Sequence, residues 1–163
     1  ISWWCPQLPT AAIAAVALIF DCTANLPADR MAVIGSSLVG YYATWLAAHR
    51  GCKAVLLNPA IDPARDLAKY IGEQSAWHDP AERFYFAPEF VDELRALEVG
   101  ALSHPQRIWA LIAKGDEVLD WREMTARYPD SHQVVMEGGD HAISDFDDHL
   151  PQLLNFLDLQ PAP

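Results

Sequence analysis

Five short apolar runs, each closed by a turn former and each followed by residues at helical spacing, constrain this chain more than any other feature. They are Ile1 to Cys5, Met31 to Ile34, Lys53 to Leu57, Arg107 to Ala113 and His132 to Met136. Apolar residues that follow one another without polar alternation suit strands covered on both faces, which is the condition of a parallel sheet. Parallel neighbours need long crossovers, and the helical segments between the runs supply them. The expectation is an α/β protein with a mostly parallel sheet between helical layers.

Thr10 stands where it would cap an alanine-rich helix reaching about Cys22. The run at Met31 stops at Gly35 and passes at once into a helix from about Leu38 to His49, with Tyr42, Trp45 and Leu46 at helical spacing and Gly51 as the stop. Asn58-Pro59 closes the next run. From about 61 to 105 the alternation lapses into helix-like pieces, Ala64 to Ile71 and Pro88 to Val99, read as a cap-like insertion over the sheet. Helices at Trp121 to Tyr128 and Ile143 to Leu157 complete the pattern. At 163 residues, 52% of them apolar, the chain is expected to form one domain, 1–163, around one substantial core. It begins without Met and already in a strand-like run, so a preceding segment is expected.

Charge excludes some partners. With 22 acidic against 11 basic residues the surface repels nucleic acid phosphates and anionic membranes, and no basic stripe offsets this. The apolar stretch Ala11 to Phe20 is about half the length that spans a bilayer, and no basic residue precedes it, so it reads as neither a membrane span nor a signal peptide. Cys5, Cys22 and Cys52 form no C-x-x-C pair, which suits reduced thiols in a cytoplasmic setting.

Functional groups in open parallel sheets gather at the carboxyl ends of the strands. After Met31 to Ile34 the chain reads Gly35-Ser36-Ser37-Leu38-Val39-Gly40, a serine on a strand-to-helix turn. Ser37 is preferred to Ser36 as nucleophile because it has glycine two residues before it. The N–H of Leu38 would then donate to a developing oxyanion at the helix start. Val39, two after the serine, stands where a small residue is expected, so strain at the turn is anticipated there. The alternative is a plain helix cap. After Arg107 to Ala113 comes Lys114-Gly115-Asp116, and Asp116 is the candidate acid, with a turn residue as its plainer role. After His132 to Met136 comes Glu137-Gly138-Gly139-Asp140-His141, where paired glycines let the loop offer His141 as general base. The order Ser37, Asp116, His141 is the order serine hydrolases of the α/β type use. Asp140, Asp145, Asp147, Asp148 and His149 crowd the same region, but no established metal-ligand spacing fits them. No glycine-rich phosphate loop is present.

At Pro6-Gln7-Leu8-Pro9, Ile34-Gly35-Ser36-Ser37-Leu38 with Tyr41-Tyr42-Ala43-Thr44-Trp45-Leu46, Gly115-Asp116-Glu117-Val118-Leu119-Asp120 and Glu137-Gly138-Gly139-Asp140-His141-Ala142, the chain resembles the YqiA-like esterases, small bacterial α/β-hydrolases. The resemblance covers nearly the whole chain in four blocks in the right order. It implies an α/β-hydrolase-like three-layer sandwich, serine esterase action on small acyl esters or thioesters through an acyl-enzyme, no cofactor, no metal, and a triad on Ser37, Asp116 and His141. The aromatic stretch from Trp77-His78-Asp79-Pro80 to Phe84-Tyr85-Phe86 and Phe90 would then line an acyl pocket or form a lid, unless it is a small satellite core.

The chain departs from that family in two places. Family members begin with a further strand ending in a His-Gly-Phe type loop that supplies a second oxyanion donor, and this chain reads as N-terminally truncated beside them. Loss of one such donor typically costs about a hundred- to a thousandfold in rate. The family pattern also has glycine where Val39 stands. The alternative function is therefore a catalytically impaired, hydrolase-like binding scaffold, and behind it a flavodoxin-like or nucleotide-binding domain.

Overall fold

The computed structural model describes residues 1–76 and 80–159. In chain order the elements are α1 (Ala12–Thr23), β1 (Ala32–Ser36), α2 (Leu38–Arg50), β2 (Lys53–Leu57), α3 (Pro63–Leu67), β3 (Gly72–Ser75), β4 (Arg83–Phe86), α4 (Pro88–Ala96), β5 (Ile108–Ala113), α5 (Trp121–Arg127), β6 (His132–Met136) and α6 (Phe146–Phe156). The chain divides into two compact units, Leu26–Ile61 with Val99–Pro163, and Ile1–Asn25 with Asp62–Glu98.

The unit that contains Leu26–Ile61 is a three-layer sandwich around a four-stranded parallel sheet of order β1-β2-β5-β6. Its register runs from Ala32 opposite Lys53, through Ala54 opposite Ile108, to Trp109 opposite His132. All six residues of β5 are buried, as the unbroken run Ile108-Trp109-Ala110-Leu111-Ile112-Ala113 requires. Successive residues of a strand face opposite sides. Ala54, Leu56, Ile108, Ala110 and Ile112 pack with Ala43 and Ala47 of α2 and Met124 of α5 on one face. Val55, Trp109, Leu111 and Ala113 pack with Leu153 of α6 on the other. Burying each of the larger side chains among them, such as Leu56, Leu111, Ile112 and Leu153, stabilises by about 1.5–3 kcal/mol, so the two clusters hold the layers together. Gly51, with φ +70, ends α2 in the left-handed conformation that glycine adopts freely.

The other unit joins α1, α3 and α4 with an antiparallel β3–β4 ribbon. Ala12, Ala15, Val16 and Ile19 form the buried stripe of α1, and Ile13 N donates to Glu93 Oε2 of α4 at 3.0 Å. The ribbon lies between the two helix-like pieces read in 61–105, both of which are helical in the structure. Gly72-Glu73-Gln74-Ser75 carries no β-branched or aromatic residue, and backbone pairing to Arg83–Phe86, which apolar periodicity does not register, makes it a strand. Phe86 and Phe90 meet edge to face at 5.6 Å. Trp77, His78 and Asp79 lie outside the described residues.

The structure corrects three further expectations. Ile1 to Cys5 forms no strand; Ile1, Trp3 and Trp4 are exposed, and apolar, aromatic composition alone does not make a strand without a pairing partner. Thr10 does not cap α1, whose preceding residue is Ala11 with no side-chain hydrogen bond. The closing helix starts at Phe146, because Ile143 turns into the left-handed region at φ 52 while its side chain enters the core. Among the described residues no helix is long and apolar enough to cross a membrane.

Candidate active site

Ser37 stands between β1 and α2 with φ 53 and ψ −122, a conformation disfavoured for a residue with a side chain and maintained only where its surroundings enforce it. They do so from three sides. Ser37 N donates to Leu57 O at 3.0 Å, while Ser37 O accepts from Gly40 N and from Ala60 N, both at 3.0 Å. Gly35 is required: a Cβ there would collide with the Val39 carbonyl. The passage from β1 to α2 is thus a sharp turn held by backbone hydrogen bonds on both sides of Ser37.

At Val39 the structure places the side chain outward. The close approach falls one residue later, on Gly40, where an added Cβ would lie 2.9 Å from Pro59 Cβ. Leu38 is the first residue of α2, and the leading N–H groups of a helix have no intrahelical acceptor. Its amide is therefore available to an anion beside Ser37.

Asp116 follows β5 and His141 follows β6, and the two are joined: His141 Nδ1 lies 2.8 Å from Asp116 Oδ2. Asp116 Oδ1 accepts from Val118 N at 2.8 Å and from Leu119 N at 2.9 Å. The carboxyl side chain is fully buried, and because a carboxylate only accepts, Nδ1 is the ring nitrogen that donates to it. The turn role of Asp116 and its contact with histidine therefore coexist, one on each oxygen. Asp120 separately caps α5 by accepting from Arg122 N. Two glycines let the loops approach: a Cβ on Gly115 would collide with Gly139 O, and Gly139 has φ +83.

Sequence reading did not single out Asn58 and Glu117. Asn58 is fully buried just beyond β2. Its Nδ2 donates to Asp140 O at 2.9 Å and His141 O at 3.1 Å, and its Oδ1 accepts from Ala113 N at 2.8 Å. Glu117 Oε2 accepts from His141 N at 3.0 Å. An asparagine before proline at a strand end reads as an ordinary turn, and only the fold brings it beside His141.

Ser37, Asp116 and His141 thus lie at the carboxyl ends of β1, β5 and β6 in one compact unit. No hydrogen bond joins Ser37 to His141 among the described residues. In the acidic cluster, Ser144 donates to Asp140 from its hydroxyl at 2.6 Å and its N–H at 2.9 Å, which holds the Asp140 carboxyl below the usual range. Asp145 lies 3.6 Å from His149. Among the described residues no three of His, Cys, Asp and Glu are arranged to hold a metal ion.

Comparison with solved structures gives the same fold. A protein of Agrobacterium vitis S4, provisionally named a hydrolase, matches with a TM-score of 0.68 at 17% identity, over 90% of this chain and 69% of its own. An α/β superfamily hydrolase from Oenococcus oeni PSU-1 matches at 0.61 and 15% identity, over 94% and 77%. The esterase domain of a Rhodothermus marinus protein matches at 0.58 and 16% identity, over 92% and 66%. The sandwich is accordingly an α/β-hydrolase fold. In sequence, the model of the uncharacterised protein family UPF0227 matches residues 1–158. The chain belongs to that YqiA-like family, UPF0227.

Proposed function

We propose that the chain is a serine hydrolase that cleaves small acyl esters or thioesters. The observation that carries this reading is the buried Asp116 bonded to His141 Nδ1, at the same end of the sheet as a serine held in an elbow. Ser37 Oγ attacks the acyl carbonyl while His141 Nε2 takes its proton, and the Leu38 N–H binds the resulting oxyanion. The intermediate collapses as His141 returns the proton to the leaving alkoxide or thiolate, which leaves an acyl-Ser37 ester. His141 then activates water to release the acid. Asp116 holds the imidazole in the required tautomer and orientation throughout.

The same reading makes 1–163 one α/β-hydrolase domain with a cap-like insertion at about 61–105. The esterase domain among the structural neighbours supports ester chemistry, and three free cysteines support a cytoplasmic setting. The reaction needs no cofactor, metal or nucleic acid.

A fluorophosphonate probe tests the nucleophile without knowledge of the substrate. Intact mass and peptide mapping are expected to find one adduct, on Ser37, that is lost in Ser37→Ala. A folded sample that takes up no probe would overturn the reading. A second reading, a scaffold that binds acyl compounds without turning them over, draws on Val39, which stands where the family pattern has glycine. Labelling of Ser37 without turnover of any ester or thioester would favour it.

A further inference from the structure

We propose that Asn58 is a positioning residue that fixes His141 against Asp116; the proposal rests on the hydrolase reading of this site. Asn58 lies just past β2, between the strand that leads to Ser37 and the strand that leads to Asp116. Its planar amide touches both halves of the acid–base pair. On one side Oδ1 accepts from Ala113 N, at the last residue of β5 before the turn that carries Asp116. On the other, Nδ2 donates to the carbonyls of Asp140 and His141 themselves. The Asn58 backbone N–H extends the same tie by donating to Leu111 O at 2.9 Å.

The two bonds from Nδ2 are directed at the histidine's own peptide groups, and they complete its restraint. His141 N is held by Glu117 Oε2, His141 O by Asn58 and the ring by Asp116. Without the amide the carbonyl side of His141 is released, and the ring can turn about the remaining contacts. The next two residues reach the nucleophile. Pro59 sits against Gly40, and Ala60 N donates to Ser37 O. Asn58-Pro59-Ala60 is thus in contact with the nucleophile turn, the acid's strand and the base's loop. Asparagine suits the place for a second reason, its φ of +41, which it tolerates better than most residues.

The test uses Asn58→Asp, which keeps the shape and the acceptor but loses both donors, and Asn58→Gly, which keeps the positive φ but loses the whole amide. Near-ultraviolet circular dichroism and thermal melting establish that each variant is folded, and Asn58→Asp carries the test if Asn58→Gly is not. Two readouts follow: the rate of Ser37 labelling by the fluorophosphonate, and the downfield proton resonance of His141 Nδ1–H, identified by its loss in Asp116→Asn. In a folded variant labelling is expected to slow by about a hundredfold, the effect of a displacement near 1 Å at a reacting group, and the resonance to broaden or vanish. A folded variant that labels within about twofold of the parent and keeps the resonance overturns the proposal. Should the parent itself not label Ser37, the hydrolase reading fails, and the resonance alone decides whether Asn58 positions His141.

Discussion

Asp116 meets backbone donors with one oxygen and a histidine with the other, so one side chain both closes a turn and holds an imidazole ring. Replacing it with asparagine separates the two roles. The amide oxygen of Asp116→Asn still accepts from Val118 N and Leu119 N, while the amide nitrogen, a donor, faces His141 Nδ1 and drives the ring proton to Nε2. That removes the lone pair a base at Nε2 needs. Ser37 labelling is expected to fall about 10⁴-fold, with the folded state retained in a thermal melt. Labelling close to the parent rate would show that Asp116 is a turn residue alone. That Ser37, Asp116 and His141 follow strands β1, β5 and β6 was legible in the sequence, because each is a chemically distinctive residue directly after a strand-like run. Asn58 and Glu117 were not, because their part depends on which loops the sheet order makes neighbours.

At the start of α2 a close approach decides which residue must be small. A small residue is needed where α2 crosses the exit of β2, and Gly40 provides it. Val39→Ala is expected to change stability by no more than about 0.5 kcal/mol, as for other exposed positions. In Gly40→Ala, the gain of helix propensity, up to about 1 kcal/mol, opposes a Cβ forced to 2.9 Å from a rigid proline ring. Overpacking of that kind costs about 1–3 kcal/mol, so net destabilisation is expected. Urea unfolding midpoints of the two variants decide the matter, and the order reverses if position 39 is the one against the sheet. Strands β2 and β5 were readable because burial on both faces leaves an unbroken apolar run. The β3–β4 ribbon is defined by backbone pairing between short, half-exposed segments, which leaves no such mark. Ile1 to Cys5 is the converse case, a strand-like composition without a partner strand.

At the scale of the whole molecule, net charge and buried titratable groups both act on stability in alkali, and they can be separated. The formal charge is −11 at pH 7, and self-repulsion grows as further groups lose protons. Two of those groups lie in the core between the sheet and helices α2 and α5. Burial pushes the Cys52 thiol up, and burial likewise pushes up the Tyr128 hydroxyl, which lies 2.8 Å from Thr44 Oγ1, against smaller pulls from Thr44 and Arg127. In each case the folded state binds the proton more tightly than the unfolded chain. Below about pH 8.5 for the thiol and about pH 10 for the phenol, both states keep the proton and the contribution is fully present. Above those values the unfolded chain releases its proton first, so stability falls as pH rises toward the folded values. The melting temperature is expected to decline from about pH 8.5 and more steeply from about pH 10. Added salt screens surface repulsion but leaves the cost of ionising a buried group largely in place. The decline should therefore persist at high salt, lose its first stage in Cys52→Ala and its second in Tyr128→Phe. A decline that salt abolishes in the parent chain would assign alkaline instability to surface charge instead.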